Sequence, residues 1–341
     1  MKHLMSILSL LSIFSCHGAY TDLKPADFAA KAQEVVLLDV RTADEYAAGH
    51  LRGAANIDWF ASSFMSQVEA AFPKGTPLAV YCRSGKRSAA AAAKLSKAGY
   101  SVYNMVGGYI AWTEAGLPIT QYEVETFITP GDKPVKITLI KHGTLAIDYD
   151  GLSIHVDPVS GLGKPTDYAT EFKKADIILV THEHFDHFDK EAIASLTDEH
   201  NTLITNSRCA EMLGYGTVMA NGDVAKIAGI TLQAVPAYNY SEGHTQFHPK
   251  GRDNGFVLTV DGLKIYIAGD TEDIPEMADI KDVDIAFLPV NQPYTMTVEQ
   301  CVNAAKLLNP KVLIPYHFSQ TDLSELPSFL PDVNVLLRQM Q

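Results

Sequence analysis

Seven consecutive residues, Thr181-His182-Glu183-His184-Phe185-Asp186-His187, gather three imidazoles and the Asp186 carboxylate. The preceding run, Asp176-Ile177-Ile178-Leu179-Val180, is short, apolar and β-branched, the composition of a buried strand. The histidines therefore stand where a rigid sheet hands over to a loop. Side chains there can converge on one point without the chain crossing itself. Neutral imidazole is the commonest metal ligand, and a carboxylate suits a hard divalent cation. The spacing thus calls for a fold that brings more polar side chains to the same sheet edge.

Later stretches repeat that placement. Leu263 to Ala268 reads as a strand and ends in Gly269-Asp270-Thr271. Lys311 to Pro315 reads as another and is followed by Tyr316-His317-Phe318. Between them, Thr297 and Gln300 are spaced as a capping box opening a helix to Leu308. Upstream, Lys136–Ile140, Thr144–Tyr149 and Leu152–Val156 read as strands, with a turn at Asp150-Gly151.

The heptad resembles the metal-binding signature of the metallo-β-lactamase superfamily. That resemblance extends over residues 135–341 and implies an αββα sandwich with a dinuclear site along one edge. It is nearest to the branch holding ascorbate-phosphate lactonases and N-acyl phospholipid phosphodiesterases. Carried over, it implies that His182 and His184 hold one metal with a third His, that Asp186, His187 and His317 hold the second, and that Asp270 bridges. Two divalent ions are implied, zinc first and manganese or iron as alternatives, activating a shared water against an ester, lactone or phosphodiester. Asp186 then has a catalytic as well as a ligating role. His142, in Lys141-His142-Gly143, and Asp157, in Val156-Asp157-Pro158, match turns that in relatives support metal-bound imidazoles from behind. This chain departs from the pattern at Asn239, where many relatives carry the third His. His248, in Phe247-His248-Pro249-Lys250, is the replacement we expect, since Pro249 restricts it to an extended backbone. His244, among loop residues only, is expected at the surface or behind the ligands.

The earlier part of the chain has different chemistry. Val35 to Val40 reads as a strand, followed by Thr42 and Glu45 in capping-box spacing and a helix stop at Gly49. Pro77 to Tyr81 is a second strand, feeding Cys82-Arg83-Ser84-Gly85-Lys86-Arg87-Ser88 and an alanine-rich helix that stops at Gly99. Strands alternating with helices imply a parallel sheet. Backbone N–H groups of such a loop can surround the Cys82 sulfur, and the helix N-terminus with Arg83, Lys86 and Arg87 favours thiolate. Leu38-Asp39-Val40-Arg41, Gly49-His50-Leu51-Arg52-Gly53-Ala54, the Cys82–Ser88 loop and Gly107-Gly108-Tyr109-Ile110-Ala111-Trp112 together resemble a single rhodanese domain. The resemblance implies that Cys82 takes sulfane sulfur from a donor such as thiosulfate or a persulfide, with Asp39 and Arg41 as scaffold.

The expected order is therefore an export signal over 1–19, a rhodanese domain over 20–120, a linker over 121–134 and a hydrolase domain over 135–341. The fold class expected is α/β: a parallel rhodanese sheet with flanking helices, then the αββα sandwich. One alternative is a persulfide dioxygenase using one iron on the same fold; another is a non-catalytic envelope sulfur carrier or metal-sequestering module. The substrate is expected to be a small molecule. A net charge of −13 argues against a general grip on nucleic acid. Cys209 and Cys301 could form a bridge in an oxidising compartment.

Met1-Lys2-His3 followed by apolar Leu4 to Phe14 is a positive n-region and an h-region too short to span a bilayer. Ile13-Phe14-Ser15-Cys16 resembles a lipoprotein box, so a lipid on Cys16 would be the one membrane contact. The expected location is the cell envelope, periplasmic or lipid-anchored. Mass spectrometry of the native N-terminus tests this: lipidated Cys16 is the expected start, Ala19 would mean soluble secretion, and an intact Met1 would exclude export.

Overall fold

The computed structural model describes residues 20–120, 122–338 and 340. The signal and Cys16 expectations lie outside the described residues. Two units follow each other along the chain.

In the first unit, β1 (Thr21–Leu23), β2 (Val36–Asp39), β3 (Ala54–Asn56), β4 (Pro77–Tyr81) and β5 (Ser101–Met105) form a parallel sheet in the order β1-β5-β4-β2-β3. Val36, Leu38, Leu78 and Val80 pack toward one helix layer, and Leu37, Ala79 and Tyr81 toward the other. Burial on both faces is why these strands read as continuous apolar runs. The Thr42–Glu45 capping box is present. The alanine-rich helix runs Lys86–Lys97, beginning at Gly85 with φ 86°.

The second unit has two seven-stranded sheets. The first holds β6 (Glu123–Ile128), β7 (Pro134–Lys141), β8 (Thr144–Tyr149), β9 (Leu152–Val156), β10 (Ile177–Leu179), β11 (Thr202–Thr205) and β12 (Thr217–Val218). The second holds β13 (Val224–Ile227), β14 (Ile230–Ala237), β15 (Asp253–Val260), β16 (Leu263–Ile267), β17 (Ile285–Pro289), β18 (Val312–Tyr316) and β19 (Asn334–Val335). Each starts as an antiparallel meander and continues as parallel strands. Alternation assigns each residue to a layer. On β10, Ile177 and Leu179 enter the core between the sheets, while Ile178 faces the outer helices. The helix Val298–Leu308, opened by the Thr297–Gln300 box, packs its Cys301, Ala304, Ala305 and Leu308 over the second sheet. The result is the expected αββα sandwich.

Two expectations need correction. The stretch 121–134 is not simply a linker: Glu123–Ile128 is a strand paired with β7 along its length. Val124 and Thr126 are buried while Glu123 and Glu125 meet Arg338, so an edge strand was hidden behind Pro130-Gly131 and Pro134. Cys209 and Cys301 are free and buried, on helices that lie over opposite sheets. A bridge between them would have to cross the sandwich.

The units meet at β3 and β6. Arg52 lies 3.9 Å over the Phe172 ring and donates to the Glu171 carbonyl at 2.9 Å. Lys136 extends back to the Ala32 carbonyl at 2.7 Å; burial lowers its pKa to about 8.

Candidate metal centre

Strand ends from both sheets deliver the polar side chains. His142 forms the β7–β8 turn with Gly143, Asp157 follows β9, Thr181 and His182 follow β10, Asp270 follows β16 and His317 follows β18. His142, Asp157 and His317 have φ of 46°, 45° and 50°. A non-glycine residue in that region costs about 1–2 kcal/mol, so the surrounding structure must hold each one there. The His142-Gly143 order is fixed by space: a Cβ on Gly143 would lie 2.5 Å from Cε1 of His187.

These residues assemble into two groups. His182, His184, His248 and Asp270 have candidate ligand atoms within 4.8 Å of one another, as do His142, Asp186, His187 and His317. Asp270, 2% exposed, stands between them. Its Oδ2 is 3.8 Å from His182 Nε2, 3.4 Å from His248 Nε2 and 3.2 Å from His317 Nε2, and its Oδ1 is 3.2 Å from His187 Nε2. His184 and Asp186 are only partly buried and mark the open side.

A further set of groups holds the rings. Asp157 bonds His187 Nδ1 at 2.7 Å and accepts from the Thr181 backbone and hydroxyl at 2.7 and 2.6 Å. Thr181 Oγ1 also lies 2.9 Å from His182 Nδ1. Asp253 is 3.1 Å from His248 Nδ1 and is gripped by Arg252, which also approaches Glu183 at 3.3 Å. With their Nδ1 atoms engaged this way, His182, His187 and His248 turn Nε2 inward.

That inward side is where the set fits a cation. Nε2 of His182, His187, His248 and His317, and Oδ1 of Asp270, are buried without a hydrogen-bond partner. An unmet buried polar atom costs about 1–3 kcal/mol; here the Asp270 contacts at 3.2–3.8 Å offset part of that cost, and ligation would remove the rest. The electrostatics agree. Burial pushes His182 well below the usual imidazole range. Burial also opposes charge on His187 and His317, yet the neighbouring Asp270 outweighs it, holding His187 well above the usual range and His317 up to about 8. Asp270, despite burial, is held well below the carboxylate range by His317 and His187. The carboxylates thus favour positive charge on the facing imidazoles, a demand that a bound cation would meet in place of protons.

The structure brings His182, His184, Asp186, His187, His248, Asp270 and His317 together. Asn239 lies in neither group; its amide donates to the Tyr294 carbonyl at 2.7 Å, and its backbone N–H to that of His248 at 2.8 Å. His244 also stands outside both groups, bonded to the buried Glu272 at 3.1 Å. His142, expected behind the ligands, instead presents Nε2 3.1 Å from Asp186 Oδ2, inside the second group. Thr181, Asp253 and Arg252 were missed by sequence reasoning. Thr181 opens the heptad and could have been suspected. Asp253 is the first residue of β15, and the short turn from His248 into that strand brings it behind the ring.

Cys82 sits at the end of β4, 1% exposed. Tyr109 and Ile110 donate their N–H groups to the Cys82 and Arg83 carbonyls at 2.7 and 3.0 Å. Gly108 permits that approach, since a Cβ there would lie 2.3 Å from the Cys82 carbonyl. Arg87 faces the thiol and binds Glu45 through both nitrogens at 2.7 Å, which lowers the Glu45 pKa to about 2. Arg83 and Lys86 are exposed at the loop rim. Asp39 and Arg41 form a buried pair that also accepts and donates within the scaffold, Arg41 reaching the Gly49 carbonyl.

Residues 136–317 match the beta-lactamase superfamily domain, and residues 25–115 match the rhodanese-like domain. A UPF0173 metal-dependent hydrolase of Pyrococcus abyssi is 30% identical over 194 residues, covering 54% of this chain and 85% of that protein. A crystal structure assigned as a metal-dependent hydrolase from Parabacteroides distasonis is 50% identical with a TM-score of 0.62, covering 64% of this chain and 100% of its own. The metallo hydrolase Igni18 from Ignicoccus hospitalis is 28% identical with a TM-score of 0.52, covering 60% of this chain and 95% of its own.

The two loop histidines should separate on substitution. His248→Ala is expected to weaken one metal equivalent by at least about 10–100-fold, the range lost with even an outer-shell partner. His244→Ala should retain most metal and activity, because Glu272 keeps the Tyr240 and Ser241 N–H groups. Metal titration of both variants checks this; equal loss, or the reverse order, would assign the wrong imidazole.

Proposed function

The chain belongs to the beta-lactamase superfamily and carries a rhodanese-like domain ahead of that fold, and from this we propose a dinuclear metal-dependent hydrolase of an ester, lactone or phosphodiester bond joined to a Cys82 sulfurtransferase. The observation that carries the hydrolase reading is the pair of donor groups meeting at Asp270. Divalent cations held there would supply Lewis acidity and acidify water in the site. The protein's own part is to fix the donors. Asp157, Thr181 and Asp253 lock the rings from behind, so the inward nitrogens need no reorganisation when a cation enters. Asp186, on the open side, is the carboxylate we assign to orienting the attacking water. Zinc is the first choice of ion, with manganese or iron as alternatives, since imidazole and carboxylate donors serve all three. A one-iron persulfide dioxygenase would leave one of the two groups without a cation, which weighs against that alternative. Export to the cell envelope completes the proposal and rests on the N-terminal sequence alone.

Removing metal with a chelator should abolish turnover of chromogenic esters and phosphodiesters and lower the melting temperature, because a ligand bound only to the folded state stabilises it. Reloading should restore both, with two ions per chain by elemental analysis. One ion per chain, with oxygen uptake on a glutathione persulfide, would replace the hydrolase by the dioxygenase. Absence of turnover in every metal form would support sequestration.

For the first domain, the Cys82 thiolate would attack the sulfane sulfur of thiosulfate, forming a persulfide and releasing sulfite, and then pass sulfur to a thiol or cyanide. Arg87 faces that sulfur, and the helix Lys86–Lys97 begins beside it. Cys82→Ser is expected to abolish thiosulfate-dependent sulfur transfer and leave metal content unchanged. A retained rate would remove Cys82 from the carrier role.

A further inference from the structure

We propose that His142 is itself a ligand of the second metal, giving that position five protein donors: His142, Asp186, His187, His317 and the shared Asp270. The inference rests on the dinuclear reading above and goes beyond it, since the superfamily resemblance supplies only the other four residues.

Three observations carry it. The first is position. The candidate ligand atom of His142 lies within 4.8 Å of those of Asp186, His187 and His317, with Nε2 3.1 Å from Asp186 Oδ2. A residue supporting a ligand from behind would meet its far side, as Asp157 meets His187 at Nδ1 and Asp253 meets His248 at Nδ1. The second is backbone. His142 takes φ 46° although glycine, the residue suited to that conformation, stands next to it. Gly143 cannot exchange places with it, because its own position is filled to the Cβ by the His187 ring. The turn therefore places an imidazole at the costly position and keeps the small residue where a ligand passes. The third is coupling to another ligand. The His317 backbone N–H donates to the His142 carbonyl at 3.1 Å, and the two rings lie 3.7 Å apart, tilted by 41°. The β7–β8 turn and the end of β18 come from different sheets and are tied together here.

The consequence is two unequal positions. The first group offers three imidazoles and the shared carboxylate, on the side where His184 is partly exposed. By donor count the second position is the more completely filled, with five protein ligands against four, so a cation at the first keeps more coordination for substrate, while the partly exposed His142 and Asp186 border the same open side. A five-donor nitrogen and oxygen set also suits a cation that accepts more than four ligands.

The test is nitrogen NMR of the full chain carrying 15N-labelled histidine, titrated with zinc alone, with the His142 signals identified by their loss in His142→Gln. The expected result is that His142 Nε2 loses its proton and moves to the metal-bound position as the second equivalent enters. Zinc titration of His142→Gln should show one equivalent weakened by more than the roughly 10–100-fold that loss of an outer hydrogen bond costs, with the other unchanged. If two equivalents bind and His142 Nε2 keeps its proton, the residue only supports Asp186 and the inference falls while the dinuclear reading stands. If no second equivalent binds to the wild-type chain, both fall together. The wild-type spectrum carries the result even if the variant is poorly folded, since its six site histidines can then be assigned from the remaining single substitutions.

Discussion

A single buried carboxylate organises the second domain. Asp270 is 2% exposed and has four imidazole nitrogens, from three different stretches of chain, within 3.8 Å. A carboxylate so placed loses its hydration and must recover the cost from positive charge nearby. The histidines can provide that charge as protons or, far better, by sharing a divalent cation with it. Everything around them serves to prevent other solutions. Asp157 and Asp253 occupy the outer nitrogens of His187 and His248, so these rings cannot turn away, and Thr181 engages His182 while also donating to Asp157.

The sandwich makes this arrangement affordable. Its core between the sheets, from Val135 and Ile147 on one side to Phe256 and Ile314 on the other, is apolar and closed. The strand ends are thus rigid platforms, and backbone strain at His142, Asp157 and His317 can be borne there. Glycine appears where two parts of the site must come close. Gly143 makes room for the His187 ring, and Gly108 does the same for the Cys82 loop in the first domain. The two domains thus use the same device, a missing side chain where two parts of a candidate site approach closely.

The two domains are joined by side chains that give up water to do so. Arg52 stacks on Phe172 at 3.9 Å and Lys136 reaches the Ala32 carbonyl at 2.7 Å, each belonging to one unit and ending in the other. β6 continues the second unit's sheet directly after the first unit ends. The connection is therefore built into a sheet edge, which restricts how the two can move against one another more than a loose tether would.

Much of this was legible in the chain itself. The His-x-His-x-Asp-His run after an apolar strand, the Gly269-Asp270 and Tyr316-His317 strand ends, and the Cys82 loop before an alanine-rich helix each combine a residue type with a local backbone signal. His248 could be singled out because Asn239 vacated the usual position and Pro249 marked the backbone. Local sequence thus singled out most of the donor side chains that the fold brings together, and the kind of element each follows. It could not determine which face of the cluster a residue meets. The resemblance alone puts His142 behind the ligands and does not single out Asp253, because the direction of a ring nitrogen depends on how the turns after β7 and before β15 close on the site. The strand at Glu123–Ile128 was hidden for the same reason: an edge strand is defined by its partner, and its own alternation over so few residues is weak. Motif chemistry is a property of a few adjacent residues, whereas convergence is set by how two seven-stranded sheets stack, and only packing over the whole domain decides that.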